Sequence, residues 1–124
     1  MVLDASAVLA LILRETGWER VRDALDDAML STVNYSEAVA RLTDRGASED
    51  IILGYFRALD IPLVEFDASV AFSAGRLWWQ TRAHGLSLAD SACLAIARHL
   101  GLPALTADQA WADLDIGVKV ELIR

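Results

Sequence analysis

Four carboxylates occupy positions from which they could act together: Asp4, Glu37, Asp90 and Asp108. Each also has an ordinary structural use. Asp4 ends an apolar run and precedes a helical pattern, and Asp108 follows Leu105-Thr106-Ala107, so both fit a helix N-cap. Asp90 follows Ser87 by three residues, a spacing close to a capping box, and an acid in the first turn suits the helix dipole. Glu37 and Arg41 form an i, i+4 pair, with Glu37 across the helix from the stripe Tyr35, Ala38, Val39 and Leu42, the place of a solvated side chain. What the four share is place. In a parallel α/β sheet the carboxyl ends of the strands and the helix starts that follow them form one edge. Asp4 and Asp108 belong to that edge, and Asp90 shares a helix face with Cys93, Leu94 and Ala97, which turns it toward the protein body. Two carboxylates ~4 Å apart repel by roughly 4 kcal/mol at an effective dielectric near 20, so a group of them calls for a cation or raised pKa values. All-oxygen ligation suits Mg²⁺ or Mn²⁺, which keep several waters and hold phosphate oxygens. The chemistry predicted is phosphoryl chemistry.

The elements that would position these acids alternate. Short β-type runs at Val2 to Leu3, Met29 to Thr32, Leu63 to Phe66, Ala104 to Thr106 and Lys119 to Ile123 are separated by helical patterns. Ala5 to Leu13 and Trp18 to Leu25 read as helices, Tyr35 opens an amphipathic stripe, and Ser48 caps a further helix beginning Glu49-Asp50-Ile51-Ile52. Asp67 caps a helix from Ala68 to about Ala83, Ser87 one from Leu88 to Leu100, and Gly85 and Gly101 stand where those helices end. Strands this short, joined by helices, are best buried in a parallel sheet covered on both faces. The predicted fold is an α/β three-layer sandwich. Within the Ala68 helix, Val70, Ala74 and Leu77 mark the inward stripe, while Phe72, Gly75 and Trp79 line a second. That second stripe is covered either within the monomer or by a dimer or partner protein.

A length of 124 residues predicts a single domain, residues 1–124. The hydrophobic fraction of 55% is ample for one core and excludes a disordered chain. Net charge is −7, the wrong sign for general attraction to nucleic acid, so contacts to phosphate must be local. Arg14, Arg41, Arg45, Arg76, Arg82 and Arg98 are the candidates. Cys93, the only cysteine, has no intrachain partner, no Cys/His spacing resembles a zinc site, and no segment is long enough to span a bilayer, which predicts a reduced, cytoplasmic protein.

The motifs Val2-Leu3-Asp4-Ala5-Ser6-Ala7, Asn34-Tyr35-Ser36-Glu37-Ala38, Leu86-Ser87-Leu88-Ala89-Asp90-Ser91-Ala92 and Leu105-Thr106-Ala107-Asp108-Gln109-Ala110-Trp111 resemble, in order and across essentially the whole chain, those of PIN-domain ribonucleases, specifically the toxins of VapBC toxin–antitoxin pairs. Position by position, the resemblance implies that Asp4, Glu37, Asp90 and Asp108 form the catalytic pocket. Asp4, Asp90 and Asp108 would hold one or two Mg²⁺ ions, and Glu37 would orient or deprotonate the attacking water. Ser6 and Thr106 would support the pocket by hydrogen bonds. Family members vary in which late acid contributes, so Asp113 stands second to Asp108. The resemblance further implies RNA as substrate, products ending in a 3′-hydroxyl and a 5′-phosphate, homodimerisation, and a VapB-like antitoxin that blocks the acidic groove.

Other chemistries find less support. Cys93 with His84 or His99 would make a nucleophile–base pair, but Cys93 falls on an apolar helix face and both histidines at helix ends. No G-x-S-x-G, P-loop or G-x-G-x-x-G is present. A receiver-type signalling domain shares the length and acidic cluster but needs a lysine near the pocket. The only lysine is Lys119, and the acid after the third strand run is Asp67, a proposed cap. A PIN-like protein that binds a partner without cutting would be expected to lose a pocket acid, and all four are present.

Overall fold

Alternation along very short strands decides how this chain is layered. In the computed structural model, which describes all of residues 1–124, β1 is Val2–Leu3, β2 Met29–Ser31, β3 Leu63–Val64, β4 Ala104–Thr106 and β5 Val120–Leu122. All neighbours pair in parallel, in the order β3-β2-β1-β4-β5. Val2 registers with Met29 and Ala104, and Leu3 with Leu30 and Leu105. Successive residues therefore face opposite sides. Val2, Met29 and Ala104 pack with α5 (Ala68–Thr81) and α6 (Leu88–Leu100). Leu3, Leu30 and Leu105 pack with α1 (Ala5–Leu13) and α2 (Trp18–Asp23). A third cluster joins α1 to α3 (Thr32–Asp44) and α4 (Glu49–Leu59). Helices on both faces of a parallel sheet make the predicted α/β three-layer sandwich.

The chain steps from β1 to β2 to β3, then returns across the sheet to β4 on the other side of β1. This reversal puts a topological switch point between β1 and β4, where α/β folds commonly bind ligands beyond the strands' carboxyl ends. The order also separates the fold from a receiver domain, in which the third strand adjoins the first.

Boundaries differ from the sequence expectation where a side chain takes over the backbone. The second strand stops at Ser31, whose Oγ accepts from the Asn34 amide at 3.0 Å and caps α3, so Thr32 is helical and α3 begins three residues before Tyr35. Thr32 Oγ1 accepts from the Phe66 amide at 3.1 Å, which holds Phe66 outside β3. α2 ends at Asp23 and gives way to a 3₁₀ turn at Leu25–Asp27, and α5 ends at Thr81 before another at Arg82–His84 closed by Gly85 at φ 76°. Ser48, Asp67 and Ser87 cap α4, α5 and α6 as expected. On α5, Ala74 and Leu77 are buried, whereas Phe72 is 73% and Trp79 65% exposed. Intramolecular packing on two sides is thus excluded for this helix.

Gly17 ties the C-terminal strand to the rest. It sits at φ 91°, and a Cβ there would lie 2.3 Å from the Ile123 carbonyl oxygen. Gly17→Ala combines left-handed strain with a backbone clash and should destabilise by about 2 kcal/mol or more, lowering Tm by roughly 5 °C or more in thermal denaturation followed by circular dichroism.

Candidate active site

Asp4 leaves β1 at the switch point and occupies the N-cap position of α1, yet its side chain makes no cap hydrogen bond. The carboxylate is 4% exposed. Its Oδ2 accepts from Ser6 Oγ at 2.7 Å and from Thr106 Oγ1 at 3.0 Å, while its Oδ1, also buried, has no partner. The two hydroxyls are held in turn. Ser6 Oγ accepts from the Ala107 amide at 2.9 Å, and Thr106 Oγ1 from the Asp108 amide at 3.0 Å. The end of β4 therefore aims one oxygen of Asp4 and leaves the other unsatisfied, an arrangement that costs free energy unless a ligand uses it.

Glu37 comes to the same region on α3. It is half-buried rather than solvated, its Oε2 lacks a partner, and its Oε1 lies 3.6 Å from Arg41. Asp90 stands in the first turn of α6, where Ser87 and Asp90 form a complete capping box: Asp90 Oδ2 accepts from the Ser87 amide at 2.8 Å. The box leaves Oδ1 of Asp90 outside the cap. Asn34, not marked by the sequence reading, is fully buried between the two helices. Its Oδ1 accepts from Ser31 Oγ at 2.6 Å and its Nδ2 donates to the Ala89 carbonyl at 3.3 Å. The Ser31-x-x-Asn34 spacing of an N-cap was the available signal.

These acids feel one another. Burial lifts the Asp4 carboxyl from its ordinary 3.8 to about 6; the charges of Asp90 and Glu37 add to the rise, and the Ser6 and Thr106 hydroxyls oppose it. Burial raises Glu37 too, with Asp90 adding and Arg41 opposing, and it raises Asp90 against the pull of the Ser87 cap, with Asp108 adding. Cys93 lies fully buried close enough to Asp4, Asp90 and Glu37 for burial and their charges to keep it a neutral thiol, and both histidines are exposed, so no nucleophile–base pair exists.

Asp108 is exposed, and its Oδ1 accepts from the Ala110 amide at 2.9 Å, capping the 3₁₀ turn Gln109–Trp111. Its charge reaches Asp90. Asp113 is exposed beyond that turn. Asp67 caps α5 through the Val70 amide, and Lys119 pairs with Glu121 at 3.1 Å, so neither supplies a receiver pocket. The structure thus gathers Asp4, Glu37 and Asp90, with Asp108 at the margin. No three of them approach closely enough to form a cage of direct ligands. Mg²⁺ needs no such cage, since it commonly takes one or two carboxylates and keeps its waters. The unpartnered Asp4 Oδ1 fits such an ion, and the unpartnered Glu37 Oε2 is free to accept from a water.

Between pH 3.8 and about 6 the folded protein keeps a proton on Asp4 that the unfolded chain releases, so this group lowers stability as pH rises through that window, and the cost is complete above it. In chelator at pH 7, Asp4→Asn should therefore be more stable than wild type by up to about 3 kcal/mol, with the gap closing toward pH 4 in urea denaturation. A destabilised Asp4→Asn at pH 7 would show that the carboxylate is stabilised there by contacts rather than strained by burial.

The sequence matches the PIN domain over residues 1–117. Among solved structures, a chain of DNA-bound VapBC from Salmonella typhimurium aligns with a TM-score of 0.75 at 15% identity, covering 99% of this chain and 97% of that one. A chain of a toxin-antitoxin complex from Klebsiella pneumoniae gives 0.71 at 17% identity with the same coverage, and one of VapBC-5 from Mycobacterium tuberculosis 0.62 at 24%, covering 99% and 96%. At such identities the likeness is one of fold. No curated protein sequence matches the chain. The sequence match, unlike these, carries family membership, and it takes in Asp4, Glu37, Asp90 and Asp108 together: the chain belongs to the PIN domain family.

Proposed function

We propose that this protein is a Mg²⁺-dependent endoribonuclease, with Mn²⁺ as a substitute, and that it acts as the toxin of a toxin–antitoxin pair in the cytoplasm. The observation that carries the reading is the pair of buried, unpartnered oxygens on Asp4 and Glu37, coupled in charge to Asp90 at the switch point. Asp4 and Asp90 would hold the ion directly, with Asp108 reaching it from the margin through water. When bound, Mg²⁺ lowers the pKa of a coordinated water and neutralises charge developing on the phosphoryl group. Ser6 and Thr106 donate to Asp4 Oδ2 and so keep Oδ1 turned to the pocket. Glu37, its carboxyl raised by burial and by Asp90, would accept the proton of the attacking water at its unpartnered Oε2. The protein needs no covalent nucleophile, and the products would end in a 3′-hydroxyl and a 5′-phosphate.

The partners follow from the same surface. An acidic pocket in a protein of net charge −7 suits a basic segment of an antitoxin, which would compete with ion and substrate together. The toxin–antitoxin proteins among the structural neighbours support that assignment. A second copy of the chain would cover the α5 face of Phe72 and Trp79.

Cleavage of labelled RNA should require Mg²⁺ or Mn²⁺ and stop in chelator. Asp4→Asn and Glu37→Gln should each lower kcat by 10²-fold or more, the general base contributing ~10²–10⁴. Metal-independent cleavage, or full activity in Asp4→Asn, would remove the reading. On the partner side, Phe72→Ser with Trp79→Ser should convert a dimer to a monomer in analytical ultracentrifugation while leaving Tm nearly unchanged, since both side chains are exposed in the monomer. A wild-type monomer would contradict the dimer assignment.

A further inference from the structure

A recessed cleft of about 370 Å³ opens beside the carboxylates, between α1 and α3. Its inner end is Ser6, the residue that donates to Asp4, and its lining includes Arg41, Arg45 and Arg124. Glu37, Arg41 and Arg45 recur every four residues, so α3 presents them along one face, and Arg45 lies about 12 Å along the axis from Glu37. The cleft therefore runs outward from the acids along a row of guanidinium groups. Leu9 and Leu13 of α1 supply an apolar wall.

Two of these arginines are unspent. Arg45 and Arg124 form no ion pair, Arg124 donates only to the Thr16 carbonyl at 2.8 Å, and Arg41 holds Glu37 at a long 3.6 Å while 67% exposed. Elsewhere Arg14 stacks on Trp18 at 3.9 Å and Arg82 on Trp79 at 3.5 Å, while Arg76 and Arg98, also without ion pairs, line a separate pocket beside Trp78 and Trp79. Glu15 and Asp44 share the lining, so Arg45 and Arg124 offset them and give the cleft local positive groups on a protein of net charge −7.

We propose that this cleft is a subsite for the sugar-phosphate backbone of single-stranded RNA, with Arg45 and Arg124 contacting phosphates next to the one presented to Asp4 and Glu37. The proposal rests on the nuclease reading above and adds the path of the strand. Its ligand must be anionic to use the guanidinium groups. The apolar wall of Leu9 and Leu13 takes a ribose or base face. Contacts of this kind position the strand and carry no sequence information.

The test is the double variant Arg45→Ala with Arg124→Ala, measured by anisotropy of a fluorescein-labelled single-stranded RNA in chelator and by cleavage kinetics in Mg²⁺. Its Kd and KM should rise at least tenfold, its kcat stay within twofold of wild type, and the slope of log K against log salt fall by about two. Lysines at both positions should restore much of the affinity, and Arg57→Ala, on the exposed side of α4, should change nothing. Unchanged Kd and KM in a cleaving enzyme would overturn the cleft and leave the nuclease reading intact. Wild type that binds this RNA through Arg45 and Arg124 but cuts nothing in Mg²⁺ or Mn²⁺ would do the reverse. A loss confined to kcat, or an equal loss in Arg57→Ala, would also overturn the subsite.

Discussion

The structure turns on one buried charge. Asp4 is placed where β1 ends and the sheet reverses direction, a position from which its carboxylate cannot reach bulk water. One oxygen is bound by Ser6 and Thr106, and the other is bound by nothing in the protein. Desolvation of an ionised group is among the most expensive things a fold can do, and a chain under selection for stability alone would have used an apolar residue here. The fold instead surrounds Asp4 with two more acids. Burial raises all three carboxyls, and neighbouring charges add to the rise: Asp90 and Glu37 for Asp4, Asp90 for Glu37, and Asp108 for Asp90.

The neighbouring acids reach the cluster by way of helix starts, and capping leaves each of them a different share of free carboxylate. Asp90 caps and still bears on the cluster: its Oδ2 closes a capping box that fixes the side chain, and its charge raises Asp4 and Glu37. Asp108 is committed further toward capping, with Oδ1 on the Ala110 amide and the side chain in solvent, so it meets the cluster only through Asp90. Asp4 stands at a cap position and declines the role. Asn34 joins the arrangement from beneath, linking the start of α3 to the start of α6 and thereby setting Glu37 relative to Asp90.

Much of this was legible in the chain. Two-residue and three-residue apolar runs flanked by strong caps at Ser48, Asp67 and Ser87 mark the alternation, and the caps locate the helix starts to the residue. The carboxylates were legible as a set because their motifs recur in order. What escaped were contacts between distant segments. Nothing local distinguishes Asp4, stripped of its cap bond, from Asp108, which keeps it, because the difference is made by Thr106 and Ser6 meeting across a separation of 100 residues at 3.2 Å. Glu37 looked solvated by helical periodicity alone, and its burial comes from α6, which the periodicity of α3 cannot report. Arg124 was invisible as a lining residue since only the closure of β5 beside α2, through Gly17, brings it to the cleft.

The central claim is that the free oxygen of Asp4 is a metal ligand in waiting. Crystals soaked in Mn²⁺ and measured for anomalous scattering address it directly. A peak about 2 Å from Asp4 Oδ1, with Asp90 or Glu37 turned toward it, is the predicted result. A Mn²⁺-loaded crystal whose peaks all lie elsewhere, with Asp4 still fully desolvated, would contradict the account.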